Sequence, residues 1–143
     1  MDAALLVESL TGNTWKAAEL VGAKLQEAGW GITGLSKVRD PDHHSIQTAD
    51  LVLVGTWTHG LFVVGQAPWG ASALAALPAM QGKKAAVFCT FALNPAKTLD
   101  KMTTIIAGRG ADVIGGFAMN RMKLDRNAEE FAARLLDVAP ALV

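Results

Sequence analysis

The chain has no tyrosine and a single cysteine, and its thirteen Lys and Arg cancel its thirteen Asp and Glu over 143 residues. Each shortage excludes something. With only Cys89, no intramolecular disulfide and no cysteine-based metal cluster can form. Cys89 itself sits in the apolar run AAVFC, where a buried, inert thiol is expected and a reactive thiol is the second reading. The cancelled charge gives no sign of nucleic-acid binding and no acidic tail for a basic partner. No apolar stretch reaches the ~20 residues that span a bilayer, and no basic segment precedes the first apolar run, as a signal peptide would need. Charged residues are scarce at 18%, but the hydrophobic fraction of 51% is ample for a core, which argues against disorder. The expectation is one soluble cytoplasmic domain over residues 1–143, without metal or membrane insertion.

What is present is an alternation of strands and helices. Three apolar runs, at residues 3–8, 51–56 (LVLVGT) and 85–90 (AAVFCT), read as strands buried on both faces. Two weaker strands fit residues 30–34 and 112–117. Residues 13–28 carry Trp15, Ala18, Val21, Leu25 and Ala28 on one helical stripe, with Gly29 as the stop. Residues 71–77 form a short helix closed by Pro78. Asn94-Pro95 reads as an N-cap and first helical residue, with Leu99, Met102 and Ile106 on one face and Gly108 or Gly110 at the end. The last helix is expected to begin near Asn127, where Asn127-x-x-Glu130 has the form of a capping box, and to present Phe131, Leu135 and Val138. Residues 40–48 read as a short helix or turn. Such an order implies right-handed crossovers and a doubly wound, five-stranded parallel sheet in a three-layer α/β/α domain. Ligands on such sheets bind beyond the carboxyl ends of the strands.

Three loops fall at that end. SLTGNT, residues 9–14, lies between the first strand and first helix and holds hydroxyls, a glycine and an asparagine but no charge. A helix N-terminus offers N–H groups and partial positive charge, hydroxyls add donors, and Gly12 allows close approach, so the loop suits a phosphate. It is neither GxxxxGK[ST] nor GxGxxG, and an ordinary capped turn at Thr11 or Asn13 is the other reading. The second loop, GTWTHGLFVVGQAPWG at residues 55–70, gathers Trp57, His59, Phe62 and Trp69 in a segment too glycine-rich for a helix. Aromatics at a strand's outgoing end suit a flat ring, the alternative being that Trp57 or Trp69 covers the sheet edge. The third, CTFALNP, again pairs a hydroxyl, Thr90, with an aromatic, Phe91.

With these loops in view, the chain resembles the flavodoxin family of short-chain FMN proteins. SLTGNT fits the family's phosphate pattern [ST]-x-[ST]-G-x-T, and the likeness extends over length, element order and all three loops. The resemblance implies the strand order 2-1-3-4-5 and FMN as cofactor. It implies that Ser9, Thr11, Asn13 and Thr14 bind the 5′-phosphate, with Leu10 and Gly12 contributing backbone. Thr56, Trp57, Thr58, His59 and Gly60 would line one side of the isoalloxazine, and Thr90, Phe91, Ala92 and Leu93 the other. Flavodoxins often stack a tyrosine on the ring. Here that role falls to Phe91 or a tryptophan.

The function this implies is electron shuttling between redox partner proteins. The alternatives are an FMN-dependent oxidoreductase acting directly on a small or hydrophobic substrate, with LFVV at 61–64 as a wall or dimer contact, and a flavin-free binding module. Electron-shuttling flavodoxins are typically acidic, whereas this chain is neutral. Fewer nearby negative charges penalise an added electron less, so a bound flavin is expected to be easier to reduce here than in an acidic flavodoxin.

Overall fold

A computed structural model describes residues 1–9, 12–61 and 64–139, with only the backbone described at 59–61 and 64–67. The elements run β1 (Asp2–Val7), α1 (Asn13–Glu27), β2 (Gly31–Lys37), α2 (His43–Thr48), β3 (Leu51–Leu61), β4 (Val64–Pro68), α3 (Ala71–Ala75), β5 (Lys84–Phe91), α4 (Thr98–Ala107), β6 (Asp112–Asn120) and α5 (Leu124–Val138), with a 3-10 turn at Arg121–Lys123. The sheet order is β2-β1-β3-β5-β6, all parallel, and β4 pairs antiparallel with β3. Counting the parallel strands alone, this is the expected order 2-1-3-4-5.

Successive strand residues point to opposite faces, so the continuous apolar runs divide into two cores. Leu5, Leu53, Phe88 and Met119 pack with Val21 and Leu25 of α1 and Phe131 and Leu135 of α5. Leu6, Val52, Val54, Val87 and Cys89 pack on the other face with Leu74 of α3 and Met102 and Ile106 of α4. One close approach joins β3 to β5. A Cβ on Gly55 would collide with the ring of Phe88, so glycine at this position lets the fully buried phenylalanine lie across the neighbouring strand.

Four local expectations differ from the structure. Asn94 does not cap α4, which begins at Thr98. Its Oδ1 instead accepts the Ala96 N–H at 2.8 Å, closing a turn of its own. Asn127 does not open α5, which starts three residues earlier at Leu124. Its Oδ1 accepts the N–H of Asn120 at the end of β6, 2.8 Å away, so the side chain ties strand to helix. Val138 is 43% exposed and leaves the apolar stripe that Phe131 and Leu135 form. Ala28 is exposed at the C-cap of α1, where Gly29 at φ 94 closes the turn as expected.

The largest difference lies in residues 55–70. The chain does not leave the sheet as a loop after Thr56. It continues as strand to Leu61 and returns as β4, pairing Thr58 with Pro68 and Leu61 with Val64. The run Thr56-Trp57-Thr58 consists of residues that favour extended backbone, and Pro68, which has no N–H, sits on the outer strand where none is needed.

Candidate functional site

α1 begins at Gly12, whose φ of 93° is left-handed and suits glycine. Among the described residues no side chain caps this helix end. The Gly12 N–H donates to Ser9 Oγ at 3.1 Å, folding the half-buried serine back under the turn. Among the described residues nothing lies within 4 Å of where a Cβ on Gly12 would sit. Leu10 and Thr11 lie outside the described residues. Asn13 is half-buried.

Thr14 and Thr90, read from sequence as members of different loops, meet. Their Oγ1 atoms are 2.8 Å apart and both residues are buried. The hydroxyl pair joins the start of α1 to the end of β5. Thr56 is fully buried, and its hydroxyl donates to the Trp69 carbonyl at 2.7 Å. The Trp69 N–H donates to the Trp57 carbonyl at 2.9 Å. The two indoles stack at 5.1 Å with 29° between their planes. Trp57 and Trp69 thus brace each other at the base of the β3–β4 hairpin. The Thr58 hydroxyl is buried and finds no nitrogen or oxygen partner among the described residues. The Cys89 thiol lies beside it. Burial pushes that thiol from its ordinary 9.0 to about 12, the Thr58 hydroxyl offsetting a smaller part. Cys89 is therefore the buried, inert thiol expected. His59 and Gly60 lie in β3. Phe62 lies outside the described residues. Phe91 is half-buried at the end of β5, Ala92 is exposed, and Leu93 is 78% exposed and projects from the surface.

Sequence reasoning missed the side of the site facing β2. A cleft of about 430 Å³ at the carboxyl ends of β1 and β2 is lined by Val7, Glu8, Ser9, Trp15, Lys37, Arg39 and Trp69. Glu8 is buried there, and Arg39 Nε donates to its Oε2 at 2.9 Å. Gly70 sits against both side chains. The one carboxylate next to the phosphate-type loop is thus held by a guanidinium 31 residues away. The sequence signal was a pair of cations at a strand's outgoing end, Lys37 as its last residue and Arg39 two residues on. Among the described residues no group of His, Cys, Asp and Glu could hold a metal ion, and no helix is long and apolar enough to cross a membrane.

Known proteins resemble this arrangement. The family model described as a flavodoxin domain matches residues 4–138. A comparison with curated proteins gives no match. Among solved structures, oxidised flavodoxin 2 from Bacillus cereus is similar with a TM-score of 0.74 at 18% identity, over 96% of this chain and 99% of that one. Two-electron reduced flavodoxin from Megasphaera elsdenii gives 0.69 at 21% identity, over 92% and 98%. Rubredoxin oxygen:oxidoreductase from Desulfovibrio gigas gives 0.65 at 19% identity, over 95% of this chain but 36% of that one. The structures share the fold, and the match over nearly the whole sequence makes this chain a member of the flavodoxin-domain family.

Proposed function

We propose that the protein binds FMN across the carboxyl ends of β1, β3 and β5 and passes electrons between redox partner proteins. One observation carries the reading. A full-length helix opens at a left-handed glycine that, among the described residues, has no side-chain cap and nothing within 4 Å of where its Cβ would sit, on the loop SLTGNT, at the sheet end that also holds Trp57 and Phe91. Such a helix end suits a phosphate. The flavin supplies the electron chemistry, and the chain binds it and sets its electrostatics.

In this reading Ser9, Leu10, Thr11, Gly12, Asn13 and Thr14 hold the phosphate, Thr14 also tying the helix start to Thr90. Thr56 to Gly60 flank one side of the ring and Thr90 to Leu93 the other. The Thr58 hydroxyl, buried with only the Cys89 thiol beside it and no nitrogen or oxygen partner among the described residues, is the kind of polar atom that a ligand satisfies. Glu8 adds little negative potential because Arg39 faces it, which supports the expectation of an easily reduced flavin.

The test is FMN titration of flavin-free protein, followed by flavin fluorescence. Quenching with saturation, weakened in Gly12→Ala because alanine strains at a φ of 93°, is the expected result. No uptake of FMN overturns the reading. A second reading, direct oxidation of a substrate, is favoured by the cleft beside Ser9 with its indoles Trp15 and Trp69. Turnover of a small quinone by the FMN-loaded protein under NAD(P)H, with no separate reductase, would select it.

A further inference from the structure

The neutrality of the whole chain conceals an uneven surface. Phe91 pairs with Asn120 in the sheet, so the segments following β5 and β6 leave side by side. Each then exposes a large apolar side chain, Leu93 at 78% and Met122 at 80%. Among the described residues the one other large apolar side chain so exposed is Val138, at 43%. Between residues 91–101 and 120–126 the chain carries Lys97, Lys101, Arg121, Lys123 and Arg126 against Asp100 and Asp125, a local balance of five cations to two anions. Lys97, Arg121 and Lys123 are exposed and form no ion pair among the described residues.

Both segments are held in shape. Asn120 Oδ1 accepts the Met122 N–H at 2.9 Å, fixing the 3-10 turn that lifts Met122 outward. Asn94 Oδ1 holds the Ala96 N–H, and Ala96 takes a φ of 47°, a strained value for alanine. An apolar centre with a charged rim on preformed backbone is the anatomy of a protein-docking patch, and the sign of its rim selects a partner of opposite charge.

We infer that the Leu93–Met122 surface is the docking face for an acidic redox protein, one that presents carboxylates around an apolar centre. As the electron partner's face this rests on the FMN reading, since the patch adjoins the Phe91 loop proposed to flank the ring. The polarity is opposite to that of an acidic shuttle.

The experiment is a titration of isotope-labelled protein with a synthetic peptide in which glutamates flank a Phe-Leu pair, followed by amide shifts at low salt. FMN uptake is measured on the same samples. The expected shifts concentrate in residues 91–101 and 120–126 and fade as salt rises. Arg121→Glu with Lys123→Glu weakens the peptide about tenfold, and Leu93→Ser with Met122→Ser weakens it at constant charge. All four positions are exposed, so these variants stay folded. Shifts centred on Lys16, Lys37 and Arg39 instead, or affinity unchanged by both double variants, overturn the inference. If the peptide maps to the patch while FMN is not taken up, the docking face stands and the flavin reading falls. FMN uptake without shifts at the patch gives the opposite result.

Discussion

At the ends where the strands begin, polar atoms are tied to other protein atoms. Lys83 Nζ donates to the carbonyls of Gln47 and Ala49 at 2.8 and 2.6 Å. The Asp2 N–H donates to Asp50 Oδ2 at 2.8 Å, Arg109 Nε donates to the Leu77 carbonyl at 2.8 Å, and Lys84 pairs with Asp112. At the ends where the strands finish, among the described residues, α1 starts without a side-chain cap, the Thr58 hydroxyl lacks a nitrogen or oxygen partner, and two large apolar side chains face solvent. One end is closed by the chain's own chemistry. The other leaves donors and apolar surface for something else to meet. Stability and binding should therefore separate along the strands.

The largest effect should ignore that division. Phe88 is fully buried in the core under the sheet, and Phe88→Ala is expected to cost about 3–5 kcal/mol, with both ends losing amide-exchange protection together. Loss at one end only would break the comparison into two independent units. Next comes alkaline pH. The unfolded Cys89 thiol ionises near 9.0 and the folded one near 12. Stability is full below 9.0. Above it the unfolded chain releases a proton that the folded chain keeps, so this contribution is lost as pH rises from about 9 to 12. Urea melts of wild type and Cys89→Ala across that range should diverge, the variant losing less.

At the carboxyl end, Arg39→Ala strands the buried Glu8 carboxylate and is expected to cost about 1–3 kcal/mol, measured by urea unfolding at neutral pH. The Thr14–Thr90 pair is a finer probe. Thr14→Val or Thr90→Val alone should cost about 1 kcal/mol, and the double variant little more than either, because replacing both partners leaves no polar group unsatisfied. Strict additivity would show that the hydroxyls do not interact. The smallest effect belongs to the amino end. Lys84→Met, which breaks a largely exposed pair with Asp112, should change stability by less than about 1 kcal/mol and leave FMN affinity unchanged.

These contrasts follow what could be read from the sequence. Interior strands were legible because residues such as Leu51 to Val54 and Ala85 to Cys89 are buried on both faces, and that burial writes an unbroken apolar run. The β3–β4 hairpin was not, because Gly60, Gly65 and Pro68 interrupt the alternation that marks a strand, while its pairing is set across the turn. Asn94 and Asn127 misled for one reason. An asparagine that can cap a helix can equally close a turn or reach a neighbouring strand, and only the fold decides which. In the site, the phosphate-type loop is contiguous and could be read directly. Arg39 beside Glu8 and Thr90 beside Thr14 join residues 31 and 76 positions apart, a separation that no local pattern records.

The placement of sulfur has a consequence for chemical wear. Oxidants attack thiolates first, and a protein that handles electrons works near them. Here the sole cysteine is sealed within the sheet and protonated through the physiological range. The most exposed sulfur among the described residues is that of Met122, on the surface proposed to meet the partner. Conversion of its thioether to a sulfoxide would make that contact polar while the core stayed untouched, so ageing of this protein would show first as lost recognition and only later as lost fold.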